Sequence, residues 1–166
     1  METSLILHDL DPDSAARLLP PGPGRTVFAA LPEVSACRGC FGCFTRTPGV
    51  CVTGDRARGF AALVSRHSEL CVVSRLVYGG FSPAVKRVVD RSLAHLLPFF
   101  RIRDGVMRHL YRSPAAMRLR AVFYGAAGDG ESMELAERVV AANAANLGAG
   151  AWEARFLRGA PEAPLP

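Results

Sequence analysis

The sequence predicts an α/β domain in three layers, a five-stranded parallel sheet with helices on both of its faces. Short apolar runs alternate with segments whose apolar residues recur at helical spacing, and this order is typical of a parallel sheet. The run LCVVSRLVY at 70–78 is apolar over most of its length, as expected for a strand that is buried on both faces. Glycine-rich breaks follow the third and fourth strands, at the edge where such sheets bind ligands.

The first part of the chain predicts two strands joined by one short helix. The run SLILH at 4–8 predicts the first strand. Pro12 stands near the start of a helix over 11–19, because proline fits the first turn of a helix. The segment PPGPG at 20–24 breaks that helix, and TVFAAL at 26–31 predicts the second strand.

The middle of the chain predicts a cysteine-rich loop, a helix and the central strand. The loop covers 37–51 and contains several glycines. Apolar residues at helical spacing predict a helix over 57–70, and the third strand follows at 70–78. After the break GGFSP, Ser82 is expected to cap the next helix and Pro83 to occupy its first turn.

The last part of the chain predicts an irregular segment, two strands and a long helix. Residues 98–118 have mixed polarity and two prolines, so we expect an excursion with little regular structure. The run RLRAVFYG at 118–125 predicts the fourth strand, and a helix follows over 130–148. The run AWEARFL at 151–157 predicts the fifth strand, and the proline-rich tail at 159–166 is expected to be frayed.

Length and composition indicate one globular domain that covers residues 1–166. Hydrophobic residues make up 49% of the chain and charged residues 21%, which are ordinary shares for a soluble globular protein. The formal net charge is +5, but the basic residues are spread along the chain instead of alternating with aromatic residues. We therefore expect no nucleic-acid partner.

The sequence also predicts a cytoplasmic protein without a membrane partner. No stretch reaches the roughly 18 uninterrupted apolar residues that a membrane helix needs. The N-terminus METSLILHDLDPDS carries acidic residues and no basic segment, so it does not read as a signal peptide. Five cysteines without an export signal favour thiols in a reducing compartment, and Cys71 is expected to be a buried core thiol.

The other four cysteines lie within fifteen residues, at Cys37, Cys40, Cys43 and Cys51. Their spacing is Cys-x2-Cys-x2-Cys-x7-Cys, and the glycines between them let the chain turn tightly. Four convergent thiolates suit an iron–sulfur cluster or a zinc ion, and a close set of thiols can instead serve redox exchange. Zinc sites more often use two separated cysteine pairs, so zinc is the least favoured of the three.

Three runs of sequence together resemble the flavodoxin-like family of FMN-binding NAD(P)H oxidoreductases, near its iron–sulfur flavoprotein branch. The runs are CRGCFGCFTRTPGVCVTGD, VVSRLVYGGFSPAVKRVVDR and FYGAAGDGE, and the resemblance covers roughly residues 26–150. The middle run, with Tyr-Gly-Gly-Phe-Ser-Pro ahead of a helix, carries the strongest part of it. The resemblance implies a flavodoxin-like three-layer sandwich that binds FMN.

The resemblance also implies which residues hold the flavin. In the family, the loop after the third strand lies against the isoalloxazine ring, and the loop after the fourth strand covers another edge. The implied cofactor-binding residues are Arg75, Leu76, Val77, Tyr78, Gly79, Gly80, Ser82, Tyr124, Gly125 and Ala126. Glycines let the backbone approach the ring, and Tyr78 or Phe81 offers an aromatic face. Asp90 and Arg91 are expected to be structural, and no catalytic base or nucleophile can be named.

The first loop departs from the family's pattern. The family has a phosphate-binding turn rich in glycine and serine after the first strand, whereas this chain has HDLDPDS at 8–14, with three aspartates and no glycine. Carboxylates near a phosphate dianion repel it by about 1–4 kcal/mol per close pair. Asp11 or Asp13 is expected to cap the following helix instead. Three interpretations stay open: FMN held in a rearranged phosphate site, FMN not bound by this subunit alone, or the fold kept without flavin.

The resemblance gives the cysteine loop one interpretation among several. In the iron–sulfur branch, the four cysteines that correspond to Cys37, Cys40, Cys43 and Cys51 ligate a 4Fe–4S cluster. Relatives with similar loops need no cluster, so structural or redox thiols remain an alternative. Arg38 and Arg46 lie in the same loop, and their charges favour thiolates or an anionic cluster.

The sequence therefore indicates an FMN-dependent oxidoreductase, similar to NAD(P)H-dependent FMN reductases, or an electron-transfer flavoprotein. It would pass electrons from NAD(P)H or a redox partner protein to a small acceptor. The alternatives are a non-catalytic electron carrier or partner subunit, and a flavin-free binding domain of the same fold. The excursion at 98–118 mixes aromatic residues with arginines, and we interpret it as a dimer arm, so we expect a homo-oligomer.

Overall fold

The computed structural model of the chain describes residues 3–103, 105–112, 117–126 and 130–165. Short 3₁₀ helices at Arg56–Gly59 and Ser92–His95 supplement the main elements. In chain order, those elements are β1 (Ser4–His8), α1 (Pro12–Leu18), β2 (Arg25–Ala29), α2 (Gly42–Thr45), α3 (Phe60–Arg66), β3 (Glu69–Val77), β4 (Gly80–Phe81), α4 (Pro83–Arg91), β5 (Leu96–Arg103), β6 (Val106–Tyr111), β7 (Met117–Tyr124), α5 (Gly130–Leu147) and β8 (Ala149–Phe156). Within these ranges, no helix has the length and apolar character needed to cross a membrane.

The central sheet confirms the predicted α/β class. Its five parallel strands lie in the order β2-β1-β3-β7-β8, and the short β4 pairs antiparallel with the end of β3. Each parallel strand begins and ends close to its predicted bounds. The chain runs from β1 to β2 on one side and returns to β3 on the other side of β1. The strand order therefore reverses between β1 and β3, and in such sheets this switch point is where ligands bind.

The larger part of the core lies between the sheet and α3, α4 and α5. Leu5, Leu7, Val72 and Phe123 point from the strands into this layer, and Phe60 of α3 packs against them. All of these side chains are fully or almost fully buried. Burying one such side chain stabilises the fold by about 1.5–3 kcal/mol. This face therefore holds the sheet and three of its helices together.

The opposite face of the sheet has a smaller apolar layer. Ile6, Val73 and Val122 form it together with Leu19, and Leu165 of the tail packs at its margin. The one helix described on this face is α1, which has only seven residues. The prediction of helices on both faces is confirmed, although the two faces are covered very unequally.

The tail supplements the short helix on this second face. The backbone N–H of Leu165 donates to the carbonyl of Leu18 over 2.8 Å. Arg17 donates from Nη1 to the carbonyl of Glu162 over 3.3 Å, and Pro161 is buried. These contacts differ from the frayed tail that its prolines predict, because the tail is hydrogen-bonded to α1 and Pro161 and Leu165 pack at the second face.

The predicted irregular excursion at 98–118 is wrong for the residues that the structure describes there. β5 and β6 pair antiparallel as a separate two-stranded hairpin. Gly105 adopts a positive φ of 76° in the connection, which glycine tolerates without strain. Pro98 falls at an irregularity in the pairing, where a missing N–H removes no regular ladder bond. Residues 104 and 113–116 of the excursion lie outside the described ranges.

A buried ion pair fastens the segments on both sides of the cysteine loop to α4. Arg91 donates from Nη1 to Asp55 Oδ2 over 2.8 Å and from Nη2 to Asp55 Oδ1 over 2.9 Å. The same guanidinium also donates to the carbonyls of Ser35 and Thr53. The Arg91 side chain is wholly buried, so these bonds replace its contacts with water. Arg91 therefore has the structural role that was expected of it.

We predict that Asp55→Ala lowers the free energy of unfolding by about 3–5 kcal/mol at pH 7, because it leaves the buried Arg91 charge unpaired. Urea denaturation followed by circular dichroism measures the change. The matched control is Asp90→Asn, because Asp90 forms an exposed pair with Lys86 and should cost at most about 1 kcal/mol. Equal losses in the two variants would contradict the structural role of the buried pair.

The same pair predicts a loss of stability in acid. The hydrogen bonds from Arg91 hold the pKa of Asp55 below its usual range. A carboxyl whose pKa is lowered on folding stabilises the protein above the pKa of its unfolded form, near 4. That contribution disappears as the pH falls from about 4 through the lowered value. Asp55→Ala should therefore show a shallower decline of stability below pH 4 than the unmodified chain, when urea denaturation is repeated across that range.

Candidate functional site

The candidate site lies at the carboxyl edge of the sheet, where β1, β3 and β7 end side by side at the switch point. β3 turns back into β4 through the two-residue loop Tyr78-Gly79, with Leu76 paired to Phe81 and Val77 to Gly80. Tyr78 and Gly79 have φ values of 49° and 71°. Two positive φ values in a two-residue connection are the mark of a type I′ hairpin turn.

Tyr78 is unusual in both backbone and exposure. A tyrosine in the left-handed region is strained by about 1 kcal/mol or more, because its Cβ crowds the backbone. The side chain is 97% exposed, so packing within the chain does not offset this strain. Asparagine or glycine would form the same turn more easily. The turn thus holds a free aromatic ring at the ligand-binding edge of the sheet, where it can stack on a flat ligand.

Two serines fix the position of this turn. Ser82 donates from its backbone N–H to Ser74 Oγ over 2.9 Å, and Ser74 Oγ donates to the carbonyl of Arg75 over 3.0 Å. Ser82 Oγ accepts the N–H of Val85 over 3.3 Å and so caps α4. The predicted cap is confirmed, and the Ser82 hydroxyl is therefore engaged within the chain.

The helix α5 supports the turn from the other side. A Cβ atom on Gly79 would lie 2.6 Å from Leu135 Cδ2, well inside normal contact distance. Gly79 is therefore required both for its positive φ and for the close approach of Leu135. The turn is held between α4, through its capping serine, and α5, through this contact.

One carboxylate joins the ends of the three strands. Asp9 follows β1, and both of its oxygens lie 3.2 Å from the backbone nitrogen of Arg75, which donates to them. Tyr124, the last residue of β7, donates its hydroxyl to Asp9 Oδ1 over 3.2 Å. Burial raises the pKa of the Tyr124 phenol, and the neighbouring Asp9 charge raises it further. The phenol is therefore a stable donor to Asp9 at neutral pH.

The first loop satisfies its own helix end with a carboxylate. Asp11 Oδ1 accepts the N–H of Ser14 over 2.9 Å and caps α1, as predicted for Asp11 or Asp13. This hydrogen bond lowers the pKa of Asp11, so the cap is ionised at neutral pH. Pro12 contributes no N–H, and Asp13 adds another exposed carboxyl group to the same turn. The loop therefore carries negative charge at the place where a helix could otherwise bind an anion.

His8 ends β1 beneath this loop. Its side chain is almost completely buried, and burial lowers its pKa, so the ring is neutral at pH 7. Its Nδ1 atom has no hydrogen-bond partner among the residues that the structure describes. The ring lies next to the backbone of Leu10, and this nitrogen is buried, so it is not exposed to a ligand at the edge of the sheet.

The structure brings most of the implied cofactor residues to this one edge. Arg75, Leu76, Val77, Tyr78, Gly79 and Gly80 form the end of β3 and its turn, and Tyr124 and Gly125 end β7 beside them. A Cβ atom on Gly125 would lie 3.8 Å from Arg75 Cγ, so the two loops are in contact.

The loop after β7 differs from the expectation in its backbone donors. Gly125 and Ala126 donate their N–H groups to the carbonyls of Gly159 and Leu157 in the tail. Ala126 is also buried. Neither residue therefore has its amide hydrogen free for a ligand, although both lie at the predicted edge. Residues 127–129 of this glycine-rich loop lie outside the described ranges.

The cysteine loop is folded around Cys43, which lies in the short α2. Cys43 packs against Ala61 and Ala94 in a small apolar cluster, while Cys37 and Cys40 are exposed. Burial raises the pKa of the Cys43 thiol, and the neighbouring Cys51 raises it further. In the described part of the chain, no three His, Cys, Asp or Glu side chains are arranged to hold a metal ion. Cys37 and Cys40 also raise the Cys43 pKa, so the four thiols of the loop are neighbours, although Cys43 is buried and the other two are exposed.

A cavity that the sequence analysis missed lies at the opposite, amino end of the sheet. It has a volume of about 570 Å³, and Arg25, Arg118 and Arg120 line it together with Glu69. Arg120 is already paired there, with Glu69 over 3.3 Å and with Glu153 over 2.5 Å. The spacing of Arg118 and Arg120 could have predicted this basic cavity, because residues two apart share a face of a strand.

The β5–β6 hairpin exposes an apolar surface away from the candidate site's strands. Its exposed large side chains are Phe99, Phe100, Ile102, Val106 and Met107. The Arg101 guanidinium lies 4.9 Å from the centre of the Tyr111 ring, so this arginine makes a cation–π contact within the hairpin. The interpretation of this segment as a dimer arm stays a prediction.

Comparison with solved structures supports the fold. An NADPH-quinone reductase from P. pentosaceus superposes with a TM-score of 0.55 at 12% identity, covering 95% of this chain and 84% of that one. An FMN-dependent NADH-azoreductase from Bacillus anthracis str. Ames Ancestor, solved in complex with FMN, gives 0.52 at 10% identity, covering 94% and 86%. A thermophilic tryptophan halogenase from S. violaceusniger gives 0.56 at 11% identity, covering 96% and 88%.

These neighbours confirm the three-layer α/β fold and the likeness to flavodoxin-like reductases. The named activities of the three proteins differ, and the identities are low, so the likeness establishes the fold alone. No protein-family model matches the chain, and no curated protein sequence matches it either. The chain therefore has the architecture of these reductases.

We predict that Gly79→Ala lowers the free energy of unfolding by about 2–4 kcal/mol, because it adds strain at a positive φ and an overlap with Leu135. Urea denaturation measures the loss. Adding Leu135→Ala to Gly79→Ala should remove the overlap and leave only the backbone strain. The matched control is Gly150→Ala, which meets no atom within 4 Å. A loss in Gly79→Ala no larger than in Gly150→Ala would refute the close packing of the turn on α5.

Proposed function

We propose that this protein is a flavin-dependent oxidoreductase whose isoalloxazine ring lies on the Tyr78-Gly79 turn. The observation that carries the proposal is the free tyrosine ring, held in a strained turn at the switch point of a reductase-like sheet. Strained and exposed residues cluster at sites where ligands bind. The reductase neighbours, one of them in complex with FMN, support a flavin as the ligand.

The ring portion of a flavin fits the residues at this edge. Tyr78 supplies a free face for stacking, and the buried Gly79 holds the turn against Leu135 of α5. Asp9 and Tyr124 hold the ends of β1, β3 and β7 in register, so the turn keeps a fixed position relative to the first loop. The bound flavin supplies the electron-transfer chemistry, and the chain positions it.

The phosphate of FMN does not fit the first loop as well. Asp11 caps α1 with its own carboxylate, and Asp9 and Asp13 lie within the same seven-residue run. The backbone donors of Gly125 and Ala126 are also engaged by the tail. The proposed ligand is therefore a flavin, which need not carry the phosphate of FMN.

NAD(P)H is the electron donor that we propose for the enzyme. Its support is the likeness to the NADPH-quinone reductase and the NADH-azoreductase. The competing function is an electron carrier that receives electrons from a redox partner protein, with catalysis elsewhere. Rapid mixing of the flavin-loaded protein with NADH or NADPH separates the two, because bleaching of the flavin band occurs only if the nicotinamide reduces it directly.

A 4Fe–4S cluster is not part of the proposal. Cys43 packs against α3 and the 3₁₀ helix after α4, and the described residues contain no group of side chains arranged to hold a metal ion, so nothing in them supports a cluster. The exposed Cys37 and Cys40 fit the alternative of redox thiols, because exposed thiols in a Cys-x2-Cys spacing are accessible for exchange.

We predict that Tyr78→Ala weakens flavin binding by roughly fivefold or more, because one aromatic stacking contact is worth about 1–3 kcal/mol. Quenching of flavin fluorescence on titration with protein measures the affinity. Tyr78→Trp should retain it. The matched control is Phe99→Ala, which removes another exposed aromatic ring on the β5–β6 hairpin. If Tyr78→Ala and Phe99→Ala bind flavin equally well, the ring does not lie on the turn.

A further inference from the structure

We infer that the site selects a flavin without a phosphate, a riboflavin-type molecule whose side chain ends in neutral hydroxyl groups, in preference to FMN. The inference rests on the proposed function and narrows its ligand class. It follows from the charges and hydrogen bonds of the first loop, which lies next to the turn at the same edge of the sheet. Four observations support it.

The first observation is that carboxylates of the first loop already accept backbone N–H groups that could otherwise bind a phosphate. Asp9 already accepts the Arg75 N–H, a donor at the switch point. Asp11 accepts the Ser14 N–H at the start of α1. A phosphate dianion would have to displace these carboxylates or lie beside them, and like charges at such distances repel.

The second observation is that backbone donors near the loop are already used or missing. Pro12 has no N–H, and the N–H groups of Gly125 and Ala126 bind carbonyls of the tail. A phosphate group needs several such donors at once, since each of its oxygens accepts hydrogen bonds. The loop offers acceptors in their place, and acceptors suit the hydroxyl groups of a ribityl chain.

The third observation concerns the cations at this edge. Arg75 lies beside Tyr124 and could attract an anion. The charge of Arg75 is opposed by Asp9, whose carboxylate accepts the backbone N–H of Arg75. Asp11 opposes it as well, because it acts on the same Tyr124 phenol. Arg17 is directed to the tail, where it donates to the carbonyl of Glu162. Arg56 also acts on the buried His8, and its charge is opposed by Asp9. The three arginines are therefore matched by the three aspartates of the loop, which leaves no excess of positive charge for a phosphate.

The fourth observation is independent of the aspartates. His8 is only 4% exposed, and its Nδ1 atom lacks a partner among the described residues. Its neutral ring adds no positive charge for a phosphate. The buried ring therefore offers a phosphate no charge-assisted hydrogen bond.

The experiment compares riboflavin with FMN by fluorescence quenching at low ionic strength, using the full chain freed of any bound flavin. We expect riboflavin to bind at least about tenfold more tightly than FMN. We also expect the preference to shrink as salt screens the loop. Both ligands carry the same isoalloxazine ring, so the ratio isolates the phosphate.

The double variant Asp11→Asn/Asp13→Asn tests the cause. Asparagine caps a helix about as well as aspartate, so α1 should be retained while two negative charges disappear. We expect this variant to bind FMN more tightly and riboflavin almost unchanged. The matched control is Asp90→Asn on α4, which changes the net charge without touching the first loop. It should leave the ratio of the two affinities as it is.

The outcomes separate this inference from the proposed function. FMN binding as tightly as riboflavin, or more tightly, overturns the inference and leaves the flavin-dependent function standing. An affinity ratio that the double variant does not change also overturns it, because the aspartates would then not set the selectivity. Failure of the chain to bind either flavin overturns the proposed function and the inference together.

Discussion

Asp9 links the carboxyl ends of β1, β3 and β7 through three hydrogen-bond contacts. Its carboxylate receives the N–H of Arg75 and the hydroxyl of Tyr124, which are distant in sequence. These bonds fix the strand ends at the point where the strand order reverses. The Tyr78-Gly79 turn extends from the same strand as Arg75, so the hydrogen bonds of Asp9 also fix the position of the turn. The same carboxylate opposes the charge of Arg75, which acts on the same Tyr124 hydroxyl.

The second constraint is the unequal cover of the two sheet faces. α3, α4 and α5 cover one face, whereas the other has the seven-residue α1 and the extended tail. The tail uses the backbone donors of Gly125 and Ala126 for its own attachment. The parts that complete the fold therefore remove donors from the edge where a ligand binds. The carboxylates of the first loop and the few free donors together favour a flat, uncharged ligand over an anionic one.

The sequence was sufficient for features that depend on local patterns. The apolar run at 70–78 predicts the buried central strand, and Ser82 predicts the cap of α4, because both are properties of neighbouring residues. The β5–β6 hairpin was missed, since its prolines and mixed polarity obscure the strand period. The roles of Asp9 and of the buried Cys43 could not be predicted, because they depend on partners that only the folded chain brings together.

The location of the ligand is the central claim, and backbone amide chemical shifts recorded during a titration with riboflavin test it most directly. The account predicts that the largest shifts fall on 75–82 and on Tyr124, at the carboxyl edge of the sheet. The cavity lined by Arg25 and Arg118 lies at the opposite end and provides an internal comparison. Shifts concentrated around that cavity, or shifts that leave Tyr78 and Gly79 unchanged, would contradict the account.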